Sequence, residues 1–196
     1  FIEANAFDSL RSLILLYLHK NKLNLLNISL FQNLNNLLEL NLNENRIQSI
    51  RHGHFRNLTA LNFLYLANNQ ISSIESGSFD SLAYLVKLVL SDNCLYKLDS
   101  LLISNLGNLI DLSIDSNILT TIDEKFFQNL TNLRFLKLDS NRFTKFKPKT
   151  FSNLVKLELL NLSNNYLRNI DFDLNLNYLE EIGLASNHLK SINLNL

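Results

Sequence analysis

The stretch Leu64–Ile71, "LYLANNQI", has a close copy on each side of it, "LNLNENRI" at Leu40–Ile47 and "LVLSDNCL" at Leu88–Leu95. Each copy begins 24 residues after the one before it. Leucines two positions apart have the period of a short β-strand with one buried face. A recurrence at a fixed interval of this size indicates a repeat protein in which every copy contributes one strand.

An asparagine marks each copy at intervals of 24 residues, with a last interval of 22. Leu or Ile stands eight, five and three residues before each of these asparagines. The asparagine lies where the chain leaves the sheet, and its amide can satisfy backbone groups of its own turn and of the neighbouring turn. We therefore expect a ladder of asparagines along the repeats, made of Asn21, Asn45, Asn69, Asn93, Asn117, Asn141, Asn165 and Asn187.

A phenylalanine stands ten residues after most of these asparagines. Parallel strands require connections that cross back behind the sheet, so these rings should stack there as an aromatic spine. Ile103 interrupts the series in the fourth repeat, and the shortened repeat after Asn165 has no phenylalanine in this slot. The spine is expected to contain Phe31, Phe55, Phe79, Phe127 and Phe151.

These residues resemble the leucine-rich repeat superfamily over essentially the whole chain. The 24-residue period, with Phe ten after Asn, is similar to the "typical" subclass found in Toll-like receptors, Slit proteins and acid-labile-subunit-like proteins. It differs from the longer helical repeats of ribonuclease inhibitor. The resemblance implies an α/β-class solenoid, a curved horseshoe of about eight repeats with a parallel β-sheet on its concave face.

The resemblance also bears on domain organisation. Arrays of this family are closed by cysteine-rich caps, whereas Cys94 is the only cysteine here. The opening "FIEANAF" already matches the middle of a repeat. Because solenoid ends need caps to stay soluble, we expect residues 1–196 to be a single array that lacks both terminal caps and is a segment of a longer protein.

Composition argues against several classes of partner. The formal net charge is zero, only 18% of the residues are charged, and no run of consecutive basic residues occurs. Nucleic acids and anionic membranes are bound through clustered Lys and Arg, so neither is an expected partner. The most apolar stretch, Leu13–Leu18, is too short to insert across a bilayer.

The sequence shows no catalytic constellation, and we predict neither an enzyme nor a cofactor or metal site. His52 and His54 form an H-x-H pair on a convex loop, where both are expected to be solvated. Cys94 has no nearby base and is expected to be a modestly buried free thiol. The acidic residues of the predicted sheet are not expected to hold Ca²⁺, because carboxylates on a flat sheet rarely supply the six or more oxygens that this ion requires.

The residues between the inward leucines form three columns on the open face of the sheet. Phe63, Tyr65 and Val89 fall on adjacent strands, and exposed aromatic side chains on a rigid sheet are typical interface anchors. A strip of mixed charge around Phe135 resembles an interface rim. The alternative is a solvated face whose aromatic residues reflect strand propensity alone. The candidate ligand-binding residues are Tyr17, Phe63, Tyr65, Lys87, Val89, Asp111, Asp115, Phe135, Lys137 and Asp139.

Four N-x-[ST] sequons occur, at Asn27, Asn57, Asn129 and Asn161. With 31 asparagines and 25 serines plus threonines, chance alone gives about four, so the sequons do not decide the compartment. Asn57 and Asn129 fall on the convex side, where a glycan would be harmless. Asn161 falls in the second column, where a glycan would shield the C-terminal part of the face.

The resemblance implies a non-catalytic module that binds a protein or another ligand. It belongs, on this reading, to an extracellular or cell-surface receptor-like glycoprotein that acts in signal transduction. A first alternative is an intracellular (cytoplasmic) repeat scaffold in a signalling complex, with which the lone cysteine agrees. A second alternative is an array accessory to a hydrolase or transferase whose catalytic residues lie outside this segment.

Overall fold

The computed structural model describes residues 2–172 and 177–192, which form a solenoid of parallel strands. One sheet holds eight strands in the order β1-β2-β4-β6-β7-β8-β9-β11, and two short pairs, β3-β5 and β10-β12, lie outside it. The strands are β1 Leu15–Tyr17, β2 Glu39–Asn41, β3 Ser49–Ile50, β4 Phe63–Tyr65, β5 Ser73–Ile74, β6 Lys87–Val89, β7 Asp111–Ser113, β8 Phe135–Lys137, β9 Leu159–Asn161, β10 Asn169–Ile170, β11 Glu181–Gly183 and β12 Ser191–Ile192.

The 24-residue period sets the register of the sheet. Leu40, Leu64 and Leu88, each from one copy of the repeat, are direct partners on β2, β4 and β6. All three leucines are fully buried. The expected leucine-rich repeat solenoid with a parallel sheet is therefore confirmed.

The connections between the strands are turns, and no helix occurs in residues 2–172 and 177–192. Phe55, Leu58 and Leu61 return to the core every three residues, and their turns close through Leu58 N–H to Phe55 C=O and Leu61 N–H to Leu58 C=O, both at 3.0 Å. This spacing suits bonds between residues three apart rather than an amphipathic α-helix. The α/β label is thus not confirmed. Eight repeats are not confirmed either, because the eight strands bound about seven turns.

The aromatic spine runs behind the sheet in two parts. The Phe55 ring stacks on Phe31 at 6.2 Å and on Phe79 at 6.1 Å between centroids. Buried Ile103 fills the gap before the second part. In the shortened repeat, Phe172 packs edge-on against Phe151 at 5.0 Å, so an aromatic side chain outside the expected slot continues the spine.

The asparagines form a continuous line of hydrogen bonds between turns. Asn93 donates through Nδ2 to the carbonyls of Leu66 (3.0 Å), Leu90 (3.1 Å) and Ser91 (3.1 Å). Its Oδ1 accepts the N–H of Ile71 at 2.9 Å. The six other anchors from Asn45 to Asn187 repeat this pattern, and each reaches into the preceding turn.

The residue before each anchor adopts the left-handed backbone conformation, with φ near 53° at Asp92. None of the eight residues at this position is glycine or β-branched, and all are polar. The conformation reverses the chain as it leaves the strand and aims the asparagine side chain into the core.

Replacing Asn93 by alanine tests the ladder. The buried carbonyls and the Ile71 N–H would lose their partner, so we expect Asn93→Ala to lower the free energy of unfolding by about 1–3 kcal/mol, measured by urea denaturation. Asn21→Ala is the matched control, because Asn21 is exposed and, among the described residues, its side chain bonds only to Leu18 and His19 of its own turn. Equal losses in both variants would contradict a ladder between turns.

Candidate binding face

The register of the sheet forms the columns expected from the sequence, because residues at the same position of successive repeats are direct partners on adjacent strands. Phe63, Lys87, Asp111 and Phe135 are successive partners on β4, β6, β7 and β8. The second column runs through Tyr65 and Val89 to Lys137, and Asp115 and Asp139 lie in the third column, two residues after the ends of β7 and β8. We call this outward side of the eight-stranded sheet the sheet face.

The aromatic part of the sheet face has less relief than the sequence suggests. Tyr17 is 52% exposed, but Phe63, Tyr65 and Val89 are half-buried. Asn41 lies between Tyr17 and Tyr65, which are two strands apart. The rings therefore line a low surface instead of projecting from it.

Burial governs the chemistry of Tyr65. It raises the pKa of the Tyr65 hydroxyl above its usual value, and the neighbouring Glu39 carboxylate adds to the effect. The phenol consequently stays neutral and keeps a proton to donate. Tyr65 can offer both an apolar ring and a hydrogen bond to a ligand.

Much of the charged strip is paired within itself. Lys87 Nζ lies 2.6 Å from Asp111 Oδ2. Ser91 Oγ donates to Asp115 at 2.6 Å, and Asn161 Nδ2 donates to Asp139 at 3.0 Å. These contacts fix the side chains and leave them less free to reach a ligand.

Asp139 and Lys137 close the strip at its C-terminal end. Burial, followed by the nearby Asp115 carboxylate, raises the pKa of Asp139. Lys137 is exposed, and it forms no ion pair among residues 2–172 and 177–190. It is thus the cation of the strip most available to a partner.

A second ion pair lies beside Phe135, at the start of strand β8. Arg134 lies 5.5 Å from the centre of the Phe135 ring, and its Nη2 donates to Glu158 at 2.9 Å. The hydrogen bond to Glu158 raises the pKa of Arg134. Within the part of the chain that the structure describes, no three His, Cys, Asp or Glu side chains come together as a metal ion requires.

The four sequons differ in what their amides do. Asn27 is exposed, and its Oδ1 accepts from the Ser29 N–H at 3.0 Å, while Nδ2 has no acceptor among the described residues. Asn57 and Asn129 both donate through Nδ2 to a carbonyl of the preceding turn. Asn57 is also half-buried, whereas Asn129 is exposed.

Asn161 is held at both ends of its amide. Besides the bond from Nδ2 to Asp139, its Oδ1 accepts the Ser163 N–H at 3.1 Å. A Cβ on Gly183 would clash with that oxygen, so glycine is needed for Asn161 to lie over β11. A glycan on Nδ2 would disturb the contact with Asp139, which makes Asn161 a poor acceptor.

The expectation of a solvated histidine pair is wrong for His54. His52 is exposed, but His54 is only 4% exposed, and its Nδ1 accepts the Arg51 N–H at 3.1 Å. The position before each spine residue forms a second buried column, which holds Leu30, His54, Ser78, Leu102, Phe126 and Thr150. The large apolar residues of this column were the sequence signal that could have placed His54 in the core.

Cys94 also departs from expectation, because its thiol is exposed instead of modestly buried. It lies directly after the Asn93 anchor, where the chain has already turned away from the core. The side chain at this position of a turn therefore points to solvent.

The class of protein follows from this fold and from its sequence. Residues 35–95, 83–143 and 136–189 match the family model described as leucine rich repeat, and the chain belongs to that family. Among solved structures it is similar to the TLR13–ssRNA13 complex, with 26% sequence identity and a TM-score of 0.79 over 92% of this chain. The chain spans 30% of that Toll-like receptor chain.

No curated protein sequence matches the chain. The described residues contain no helix with the length and apolarity to cross a bilayer.

A pH titration of stability tests the burial of His54. Desolvation, and then the Arg51 charge, lowers the pKa of His54 below the ordinary value of 6.5. The unfolded chain takes up this proton more readily than the folded chain, so acid favours unfolding. We expect the free energy of unfolding to fall as the pH drops through about 6.5, the ordinary value, and on toward the lower pKa of the folded state. The fall should be smaller in His54→Leu, which places in this column an apolar side chain that it also holds elsewhere.

His52→Leu serves as the control, because His52 is exposed and its substitution should leave the pH dependence of urea denaturation as it is in the wild type. An unchanged acid loss in His54→Leu would show that His54 is not the group responsible.

Proposed function

We propose that the chain is a non-catalytic ligand-binding module of a receptor-like protein, and that it binds a protein partner through the sheet face. The observation that carries this proposal is the cluster of half-buried Phe63, Tyr65 and Val89 beside the Lys87–Asp111 pair on a continuous parallel sheet. Aromatic side chains bordered by polar pairs have the composition of an interface core and its rim.

Rigidity of the backbone supports this function. The inner strands are paired on both sides, and the asparagine ladder fixes the turn after each one. A partner therefore meets a surface that is already ordered, and binding loses little entropy on this side. A binding site made of flexible loops would instead lose entropy, because the loops would become ordered when the partner binds.

The charges of the sheet face indicate the kind of partner. Five carboxylates stand in its three columns against two lysines, so the face is net acidic. A partner with basic side chains around an apolar contact complements it, and rim charges of this kind guide association and specificity. The acidic residues are Glu39, Asp111, Asp115, Asp139 and Glu181.

A triple substitution on the sheet face tests the site. Three proteins are immobilised and tested for binding to the same set of native secreted proteins. They are the wild-type chain, the variant Phe63→Ala/Tyr65→Ala/Lys87→Ala and a control, Tyr84→Ala/Tyr96→Ala. Tyr84 and Tyr96 are 64% and 55% exposed and lie outside the three columns. We expect the true partner to bind the control normally and the triple variant about tenfold or more weakly, measured by surface plasmon resonance.

A partner that keeps full affinity for a stably folded triple variant would remove the site from this part of the sheet face. Melting curves of the three proteins separate loss of contact from loss of fold, because all five substituted residues lie at or near the surface.

We propose further that the parent protein is an extracellular or cell-surface glycoprotein that takes part in signal transduction. The support is the likeness to a Toll-like receptor chain. The intracellular scaffold is the alternative, and an array accessory to an enzyme is a further one.

Glycan mapping distinguishes the compartments. In native protein from its own cells, we expect N-glycanase to reduce the mass, with occupancy at exposed Asn27, whose Nδ2 has no acceptor among the described residues, and none at Asn161, whose Nδ2 donates to Asp139. Peptide mass spectrometry after release in heavy-oxygen water locates the occupied sites. No loss of mass would favour the intracellular scaffold, and a glycan at Asn161 would show that its bonds to Asp139 and Ser163 do not protect it.

Single-stranded RNA is a second candidate ligand, because the similar receptor structure is a complex with ssRNA13. The sheet face is a poor site for a phosphate backbone, since its carboxylates outnumber its lysines. We therefore propose only that nucleic acid does not bind to the sheet face, and we make no such claim for other surfaces. Fluorescence polarisation with labelled single-stranded RNA tests it, and loss of RNA binding in the triple variant would contradict it.

A further inference from the structure

A cavity of about 710 Å³ opens on the flank of the solenoid near its C-terminal turns, away from the sheet face. Its lining comes from three successive turns and includes Lys145, Phe146, Tyr166, Arg168, Asp171 and His188. Phe146 is buried and forms part of the aromatic core, whereas the other five are exposed. The cavity is therefore a surface site built on a rigid floor.

Two aromatic rings form a platform in this cavity. Tyr166 and His188 each follow a ladder asparagine, Asn165 and Asn187, and their ring centroids lie 5.7 Å apart at an interplanar angle of 28°. The ladder bonds of these asparagines fix the backbone beneath both rings. Tyr166 is 48% exposed, so ring surface remains open for a ligand to stack on.

The platform is confined to these last turns. The same position of the preceding turns holds no aromatic residue, and the residue next to Tyr166 in this column is a cation. The column before the platform consists of Lys22, Arg46, Gln70, Cys94, Ile118 and Arg142.

Two cations share the cavity with the platform. Lys145 and Arg168 line the cavity, and neither forms an ion pair within residues 2–172 and 177–190. Among the described residues that line the cavity, Asp171 is the one acidic side chain. Further cations follow Lys145 in the segment "KFKPK", residues 145–149. A neutral chain thus carries an acidic sheet face and a basic flank.

Open aromatic rings and unpaired cations together select a planar ligand that carries negative charge. Bases stack on aromatic side chains, and Arg and Lys bind phosphate through charge-assisted hydrogen bonds. Asn169 also lines the cavity and can bond to a base edge or a ribose hydroxyl. An acidic peptide would use the cations but leave the stacked rings without a role.

We propose that this flank binds a nucleotide unit, with the base on the Tyr166–His188 platform and the phosphate at Arg168 and Lys145. The unit is either a free nucleotide or one nucleotide of a single strand. The site is separate from the sheet face, so the partner proposed there can be wrong without affecting it.

Titration of the 196-residue chain with adenosine monophosphate tests the site by isothermal calorimetry, and a labelled oligoadenylate of about six nucleotides tests the strand by fluorescence polarisation. Tyr166→Leu removes the open ring but keeps an apolar side chain, and Lys145→Gln/Arg168→Gln removes the charges. Tyr84→Leu and Lys97→Gln are matched controls, because both residues are exposed and lie outside the cavity.

We expect saturable binding of adenosine monophosphate, weakened about tenfold in Tyr166→Leu and at least as much in the double variant, with both controls unchanged. An oligonucleotide that binds tighter than the mononucleotide identifies a strand as the source, and equal affinity identifies a free nucleotide. Absence of saturation, an unchanged dissociation constant in Tyr166→Leu, or equal competition by polyglutamate would overturn the proposal. Thermal melting confirms that each variant is folded.

Discussion

Each turn of this solenoid leaves the sheet through a residue in the left-handed conformation, and the asparagine after it holds the chain there. That conformation costs a non-glycine residue about 1–2 kcal/mol. The asparagine offsets this cost by bonding to carbonyls of its own turn and to groups of the turn before. Because half of each bonding set lies in the neighbouring turn, no single turn is satisfied alone, and stability belongs to the array.

The same constraint separates structural positions from variable ones. Leucines and asparagines are required at fixed places, while the residues between them lie on the open face, beside residues of adjacent strands. Those columns can change without loss of the fold. Their relief depends on local pairs such as Lys87–Asp111 and Asn161–Asp139, which draw side chains down onto the sheet. A rigid surface with changeable side chains suits a binding module.

The strands and their register were predictable because leucine spacing encodes both. The turns were predictable in principle from the three-residue spacing of Phe55, Leu58 and Leu61. The resemblance to the superfamily led instead to the expectation of an α/β fold. His54 was misplaced because its loop was judged alone instead of by its column, where Leu30 and Leu102 are also buried. The partial burial of the face could not be predicted, since side-chain pairing across strands leaves no periodic trace.

Net charge is a property of the whole chain, whereas a ligand meets one surface of it. Within the zero net charge of this sequence, the sheet face carries five carboxylates against two lysines, whereas the flank cavity is lined by Lys145 and Arg168 against Asp171. The repeat keeps them apart, because a given position of every turn falls on the same side of the solenoid. It also explains how Tyr166 and His188 come together across a shortened turn: Asn187 still bonds to Leu162 and Leu167, so the residues after both anchors remain in register. Local charge and stacking, set by the ladder, therefore decide which ligands each surface can bind.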